Sequence, residues 1–183
     1  MLALALAGCA QDSGVGERVG GTGGAGRSAG QVAAIPVADR QPLPALSAPT
    51  LGGGQLDLAS FRGRVLVINV WGSWCSPCRA EAPELEKVYQ ATRARGVEFV
   101  GVNTRDPRTA NAQAFVRTFK LTFPSLLDPD GALLARFNGT VPAQFVPSTL
   151  VVDRQGRIAA IAFKGLTATD LRALLDPVLA ERS

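Results

Sequence analysis

The sequence predicts a single α/β domain built on a mixed sheet, and three observations predict it. The run "VLVINVW" (Val65–Trp71) is continuously apolar and largely β-branched, as suits a strand buried on both faces. A second such run, "VEFVGVN", alternates with two segments of helical periodicity, which makes a βαβα unit. Further on, "STLVVD" and "RIAAIAF" flank the tight turn "DRQG" and read as an antiparallel hairpin, followed by a last helical segment.

Each element has its own warrant. In "CRAEAPELEKVYQATRAR", Leu85, Val88 and Tyr89 share a helix face, glutamates come early and arginines late as the helix dipole favours, and Gly96 is a stop. Pro83 is expected to kink that helix. In "RTANAQAFVRTFK", Phe115, Val116 and Phe119 form one apolar face, and in "TATDLRALLDPVLAE" the stripe is Leu171, Leu174, Leu175 and Val178, with Pro177 expected to kink or end the helix. The stretch around "DPDG" is read as irregular, and "LSAPTLGGGQLDLASFRGR" as short extended pieces turned by Gly52 to Gly54. The order β-α-β-α-β-β-α, a mixed central sheet with helices on both faces, is that of the thioredoxin fold.

A chain of 183 residues accommodates one such domain and a tail. The net charge of +4 is scattered and not interleaved with aromatics, so it reads as a solvated surface and not as a nucleic-acid interface. Histidine is absent, which removes the commonest general base and metal ligand.

The chain opens "MLALALAGCA", an apolar stretch too short for a membrane-spanning helix, which needs about 20 residues. "LAGC" (Leu6 to Cys9) resembles the bacterial lipobox, which implies that Cys9 is lipidated and anchors the protein to a membrane. Met1 leads directly into the apolar run, without the positive charge that opens a secretory signal; the plain alternative is a stray apolar terminus. The expected division is residues 1–9 as a signal remnant, 10–42 as a flexible linker rich in Gly and Ser, and 43–183 as the folded domain. Some 25 linker residues give an r.m.s. reach of about 25 to 30 Å.

Cys75 and Cys78 fall where the buried strand gives way to a helix, and there unpaired N–H groups and the helix dipole stabilise an anion. A thiolate is such an anion, so Cys75, at the tip, is expected to attack and Cys78, one turn further in, to resolve the mixed disulfide. Ser76 lies between the sulfurs with Pro77, which suits the first helical turn; both tune the pair without reacting. A zinc site lacks ligands, with only Cys9 remaining and no histidine. A purely structural disulfide across so short a loop would constrain the unfolded chain weakly.

"WCSPCR" after "VLVINVW" resembles the WCxPC centre of thioredoxin-like proteins, above all the exported TlpA/ResA-like thiol-disulfide oxidoreductases. The likeness runs from about Leu43 to the carboxyl end. It implies that "FVPSTLVVD" holds a cis-proline, Pro147, facing the disulfide, and that the backbone of Val146 pairs with an incoming peptide; Pro142 is the weaker candidate. It also implies that Asn69 replaces the buried acid of cytoplasmic thioredoxins, and that Glu81 can exchange a proton with Cys78, unless it merely favours the helix dipole. Trp74 resembles the tryptophan at the surface of the disulfide, while Trp71 is expected in the core. The activity implied is thiol-disulfide exchange with exported protein thiols and disulfides, with the cysteine pair as its own cofactor. A membrane protein would supply or take the electrons, and cytochrome c maturation is one setting. A reductase is favoured; a disulfide oxidase for folding exported proteins, a thiol peroxidase and a non-catalytic binding module are the alternatives.

Overall fold

The computed structural model describes residues 28–137 and 139–181. Eight strands and four α-helices follow in chain order: β1 (Val32–Ala34), β2 (Ser47–Pro49), β3 (Gln55–Asp57), β4 (Val65–Trp71), α1 (Ser76–Thr92), β5 (Val97–Thr104), α2 (Thr109–Phe119), β6 (Ser125–Asp128), α3 (Ala132–Ala135), β7 (Ser148–Val152), β8 (Ile158–Ala162) and α4 (Ala168–Ala180). The main sheet has the order β1-β8-β7-β4-β5-β6. β4 is central, parallel to β5 and antiparallel to β7, and all seven of its residues are buried. This is the expected thioredoxin topology, with additions at both edges.

Alternation along β4 sorts its side chains between two cores. Leu66, Ile68 and Val70 face a cluster completed by Ala48 of β2, by Leu46 just before it and by Leu134 of α3. Val65 and Val67 face Leu85 and Val88 of α1 and Leu171 and Leu175 of α4. Period-two geometry therefore turns Asn69 towards the α1 and α4 side. A third cluster, of Trp71, Cys75, Cys78, Ala82, Ala112 and Phe115, closes the end of β4.

The sheet departs from expectation at its margins. Residues 32–34, placed in the linker by composition, form β1 on the free edge of β8, pairing Val32 with Ala162 and Ala34 with Ala160. Arg40, also upstream of the expected boundary at 43, has its side chain buried against Asp153 and Glu181. The lower part of the expected linker and Cys9 lie outside the described residues. The stretch read as irregular contains β6, which runs parallel to β5 from Gly101↔Ser125 to Thr104↔Asp128, and α3, whose Leu133 and Leu134 N–H groups donate to buried Asp128. Four-residue elements carry too little periodicity to be seen in sequence; their partners define them. Pro83 and Pro177 both lie inside continuous helices, and Pro177 does not end α4, which runs on to Ala180.

Candidate active site

β4 delivers the chain to the site through a loop of four residues. Gly72 leaves room for the Trp74 indole that rests on it: a Cβ there would lie 2.5 Å from Cε2 of that ring and push it away. Cys75 N–H donates to Gly72 O at 3.1 Å, and the chain then enters α1 with Cys75 as its N-cap. The Cys75 sulfur accepts from Cys78 N–H at 3.2 Å, taking up one of the helix's unpaired amide donors. The two sulfurs are 2.05 Å apart, a disulfide, with Cα atoms 5.3 Å apart. Ser76 and Pro77 occupy the first turn and are exposed, whereas Cys75 and Cys78 are only 3% and 1% exposed. Trp74 stands beside them at 52% exposure, the most open aromatic ring of the site.

A second loop closes over the pair. The Val146–Pro147 peptide bond is cis, as expected for Pro147 and not for Pro142. Val146 is half-buried and packs on the cysteine cluster, while Pro147 is buried and leads directly into β7. Phe119 and Leu51 complete the apolar surround, with the Arg79 guanidinium 5.5 Å from the Phe119 ring centroid. Trp71 is in the core, stacked on Phe115 at 4.4 Å and donating Nε1–H to Ser125 Oγ at 3.3 Å.

Beneath the disulfide lies a buried polar set. Glu81, three residues beyond Cys78 on the same helix face, is 2% exposed. Asn69 Nδ2 donates both to Glu81 Oε1 (2.8 Å) and to Thr149 Oγ1 (3.1 Å), and Leu166 N–H donates to Glu81 Oε2 (3.1 Å). Burial raises the Glu81 carboxyl from 4.5 to about 7, against the opposing pull of the Asn69 and Leu166 hydrogen bonds. Its carboxyl is thereby set near neutrality, which that of a first-turn residue in water would not be. A cleft lined by Pro77, Ala80, Glu84 and Gly165 leads to it from outside.

Sequence reasoning brought Asn69 and Glu81 into view but not their joint, nor Thr149 and Leu166, which arrive from distant elements. It also missed Asp106, just after β5. The Asp106 carboxylate accepts from Ser73 N–H (2.8 Å), from Ser73 Oγ and from Asn103 Nδ2 (2.6 Å). The only signal available was an acid placed after a strand end, on the edge where parallel sheets carry their sites. Among the described residues no group of three or more Cys, Asp or Glu is arranged to hold a metal ion. No described helix is long and apolar enough to cross a membrane.

Comparison with known proteins agrees with this geometry. Residues 40–161 match the model of the AhpC/TSA family. The chain is 31% identical over 128 residues to the thiol-disulfide oxidoreductase ResA of Geobacillus thermodenitrificans, covering 70% of this chain and 71% of that one. In structure it resembles a secreted thiol-disulfide isomerase from Corynebacterium glutamicum, with a TM-score of 0.77, 34% identity and coverage of 82% and 92% of the two chains. It also resembles a secreted Mycobacterium tuberculosis disulfide oxidoreductase homologous to E. coli DsbE, with a TM-score of 0.64, 32% identity and coverage of 72% and 95%. The relatives' names describe thiol-disulfide chemistry, which the Cys75–Cys78 pair can carry, and the chain belongs to the AhpC/TSA family as a ResA-like thiol-disulfide oxidoreductase with a thioredoxin fold.

Proposed function

We propose that this protein is an extracytoplasmic, membrane-tethered reductase of disulfides in exported proteins. The Cys75 thiolate attacks one sulfur of a substrate disulfide: a Cys75–substrate S–S bond forms, the substrate's own S–S bond breaks, and the first substrate thiolate leaves and takes a proton from water. Cys78 then gives its proton to the Glu81 carboxylate and attacks the Cys75 sulfur. The second substrate thiolate departs, and the Cys75–Cys78 disulfide remains. Two electrons have passed to the substrate, and a membrane dithiol protein restores them by the reverse exchange. The pair needs no further cofactor. Trp74, the Val146 backbone and Pro147 form the surface on which the substrate chain lies, while Ser76, Pro77 and Asn69 tune the centre.

The observation that carries the direction is buried Glu81. Once ionised, its carboxylate opposes a thiolate nearby, which disfavours the reduced pair and favours release of its electrons. The secreted relatives support an exported setting. The lipobox-like Leu6 to Cys9 supports the tether. Cytochrome c maturation is the setting implied by the likeness to the TlpA/ResA group. Equilibration of the pair in graded glutathione buffers tests the direction: the reductase reading expects a potential nearer thioredoxin's, about −270 mV, and a value near the roughly −120 mV of a strong oxidant overturns it in favour of an oxidase.

A further inference from the structure

The loop from Gly72 to Cys75 carries the nucleophile at its end and the exposed Trp74 just before it. Besides the loop's own turn, closed by Cys75 N–H on Gly72 O, something outside it holds it. Asp106 does so. This carboxylate is 8% exposed, and leaving it buried without partners would be costly. Oδ2 accepts from the Ser73 backbone N–H at 2.8 Å and Oδ1 from the Ser73 hydroxyl, so both donors of one loop residue are taken by one carboxylate. Asn103 Nδ2, 2.6 Å from Oδ2, fixes the carboxylate in turn. Asn103 belongs to β5 and pairs in register with Trp71 of β4, so the clamp is referred to the rigid centre of the sheet. Trp74 is the next residue after the clamp, and its ring is seated on Gly72.

We propose that Asp106 is a positioning residue for protein substrates. By holding Ser73 it keeps Trp74 in place as a platform on which the polypeptide flanking a substrate disulfide rests while Cys75 attacks. This rests on the reading of Trp74 as substrate-facing. A small disulfide has no flanking chain and needs only access to the sulfur, so the clamp separates the two substrate classes.

The test compares second-order rates of the reduced protein with insulin, a protein disulfide, and with glutathione disulfide. Asp106→Ala is expected to lower the insulin rate on the order of tenfold more than the glutathione rate, the scale of a modest misplacement of a binding group. Asp106→Asn, which keeps one acceptor for Ser73, falls between. Ser73→Ala removes only the hydroxyl and keeps the test open if Asp106→Ala fails to fold; it too is expected to lower the ratio. Trp74→Ala and the Trp74→Ala/Asp106→Ala double variant complete a cycle in which the effect of Asp106 on the ratio vanishes once the indole is gone. If Trp74→Ala leaves the ratio unchanged, the platform reading fails, and this proposal with it. If Trp74→Ala changes the ratio but the Asp106 effect persists undiminished in the double variant, the proposal alone is overturned. It is likewise overturned if folded Ser73→Ala leaves the ratio as it was, or if Asp106→Ala lowers both rates equally in step with its melting temperature.

Discussion

Replacing Glu81 by Gln separates the electrostatic cost of the buried acid from its hydrogen bonds. In the folded protein the carboxyl titrates at about 7, and its ordinary value is 4.5. Between those values the native state holds a proton that the unfolded chain has released, so stability falls as pH rises across that window and levels off above about pH 7. The full loss is about 3 kcal/mol, taking roughly 1.4 kcal/mol per pKa unit. Gln carries no charge, so the variant is free of that loss at every pH. Its penalty is different and constant: one carboxylate oxygen becomes an NH2, and either Asn69 Nδ2 or Leu166 N–H loses its acceptor, a cost of about 1 to 3 kcal/mol. Urea unfolding of the oxidised protein, wild type and variant side by side, is the assay, because other titrating groups cancel in the difference. At about pH 5 the variant is expected to be the less stable; by about pH 8 the difference moves in its favour by roughly 2 to 3 kcal/mol, which leaves the variant between near equality and about 2 kcal/mol the more stable. A difference that stays constant from about pH 5 to about pH 8 would refute the reasoning, since it would mean that Glu81 titrates alike in both states.

Two further substitutions test the frame around the site. Arg40→Ala removes a buried guanidinium that bonds Asp153 at 3.1 Å and both oxygens of Glu181; a loss of about 2 to 3 kcal/mol is expected at neutral pH, below the full figure for a broken buried pair because Asp153 keeps Arg157. Both carboxyls are held below their usual values, so that loss should shrink in acid as they protonate, and denaturant midpoints across pH check it. Gly101→Ala would set a Cβ 2.6 Å from Trp71 Nε1, and closer still to Ser125 Oγ, in the middle of a sheet that cannot yield; a loss of about 1 to 3 kcal/mol with a shift in Trp71 fluorescence is expected, and an unchanged melting temperature contradicts it.

The elements legible in the sequence were those long enough to show a period. β4, α1, β5, α2, the β7–β8 hairpin and α4 each announce themselves through apolar spacing or turn chemistry, and the disulfide follows from its place between the first two. β1, β6 and α3 are three or four residues long and exist because a neighbour offers an edge or a cap: β8 pairs β1, β5 pairs β6, and Asp128 receives the Leu133 and Leu134 amides of α3. The linker was overextended for the same reason, since Gly- and Ser-rich composition reports ordering cost but not the free edge that offsets it. At the site, local order pointed to Cys75 and Cys78, and the likeness to the TlpA/ResA group pointed to Glu81. Thr149, Leu166 and Asp106 were invisible because each meets the site across 33 to 85 residues of chain or through another residue.

Burial alone does not hold a carboxyl near neutrality, as Asp153 demonstrates. Both carboxyls are 2% exposed, and burial pushes both upward. Asp153 nevertheless ends below its usual value, because the Arg157 backbone N–H, Arg40 and the Arg157 side chain all donate to it, and two of these carry positive charge. Glu81 receives one neutral amide on each oxygen, from Asn69 and Leu166, and no cation. Neutral donors return only part of what desolvation removes, so its proton affinity settles near neutrality and not far below it. Burial sets this balance, and Asn69 keeps it from being tipped either way. A lysine or arginine at that point of β4 would lock Glu81 as an anion and end its use as an acceptor that can also give the proton back. An aliphatic side chain would leave Oε1 unpartnered and drive the carboxyl higher still. An amide shared with Thr149 holds the oxygen in place without fixing its charge, and that is what the proposed exchange of a proton with Cys78 in both directions requires.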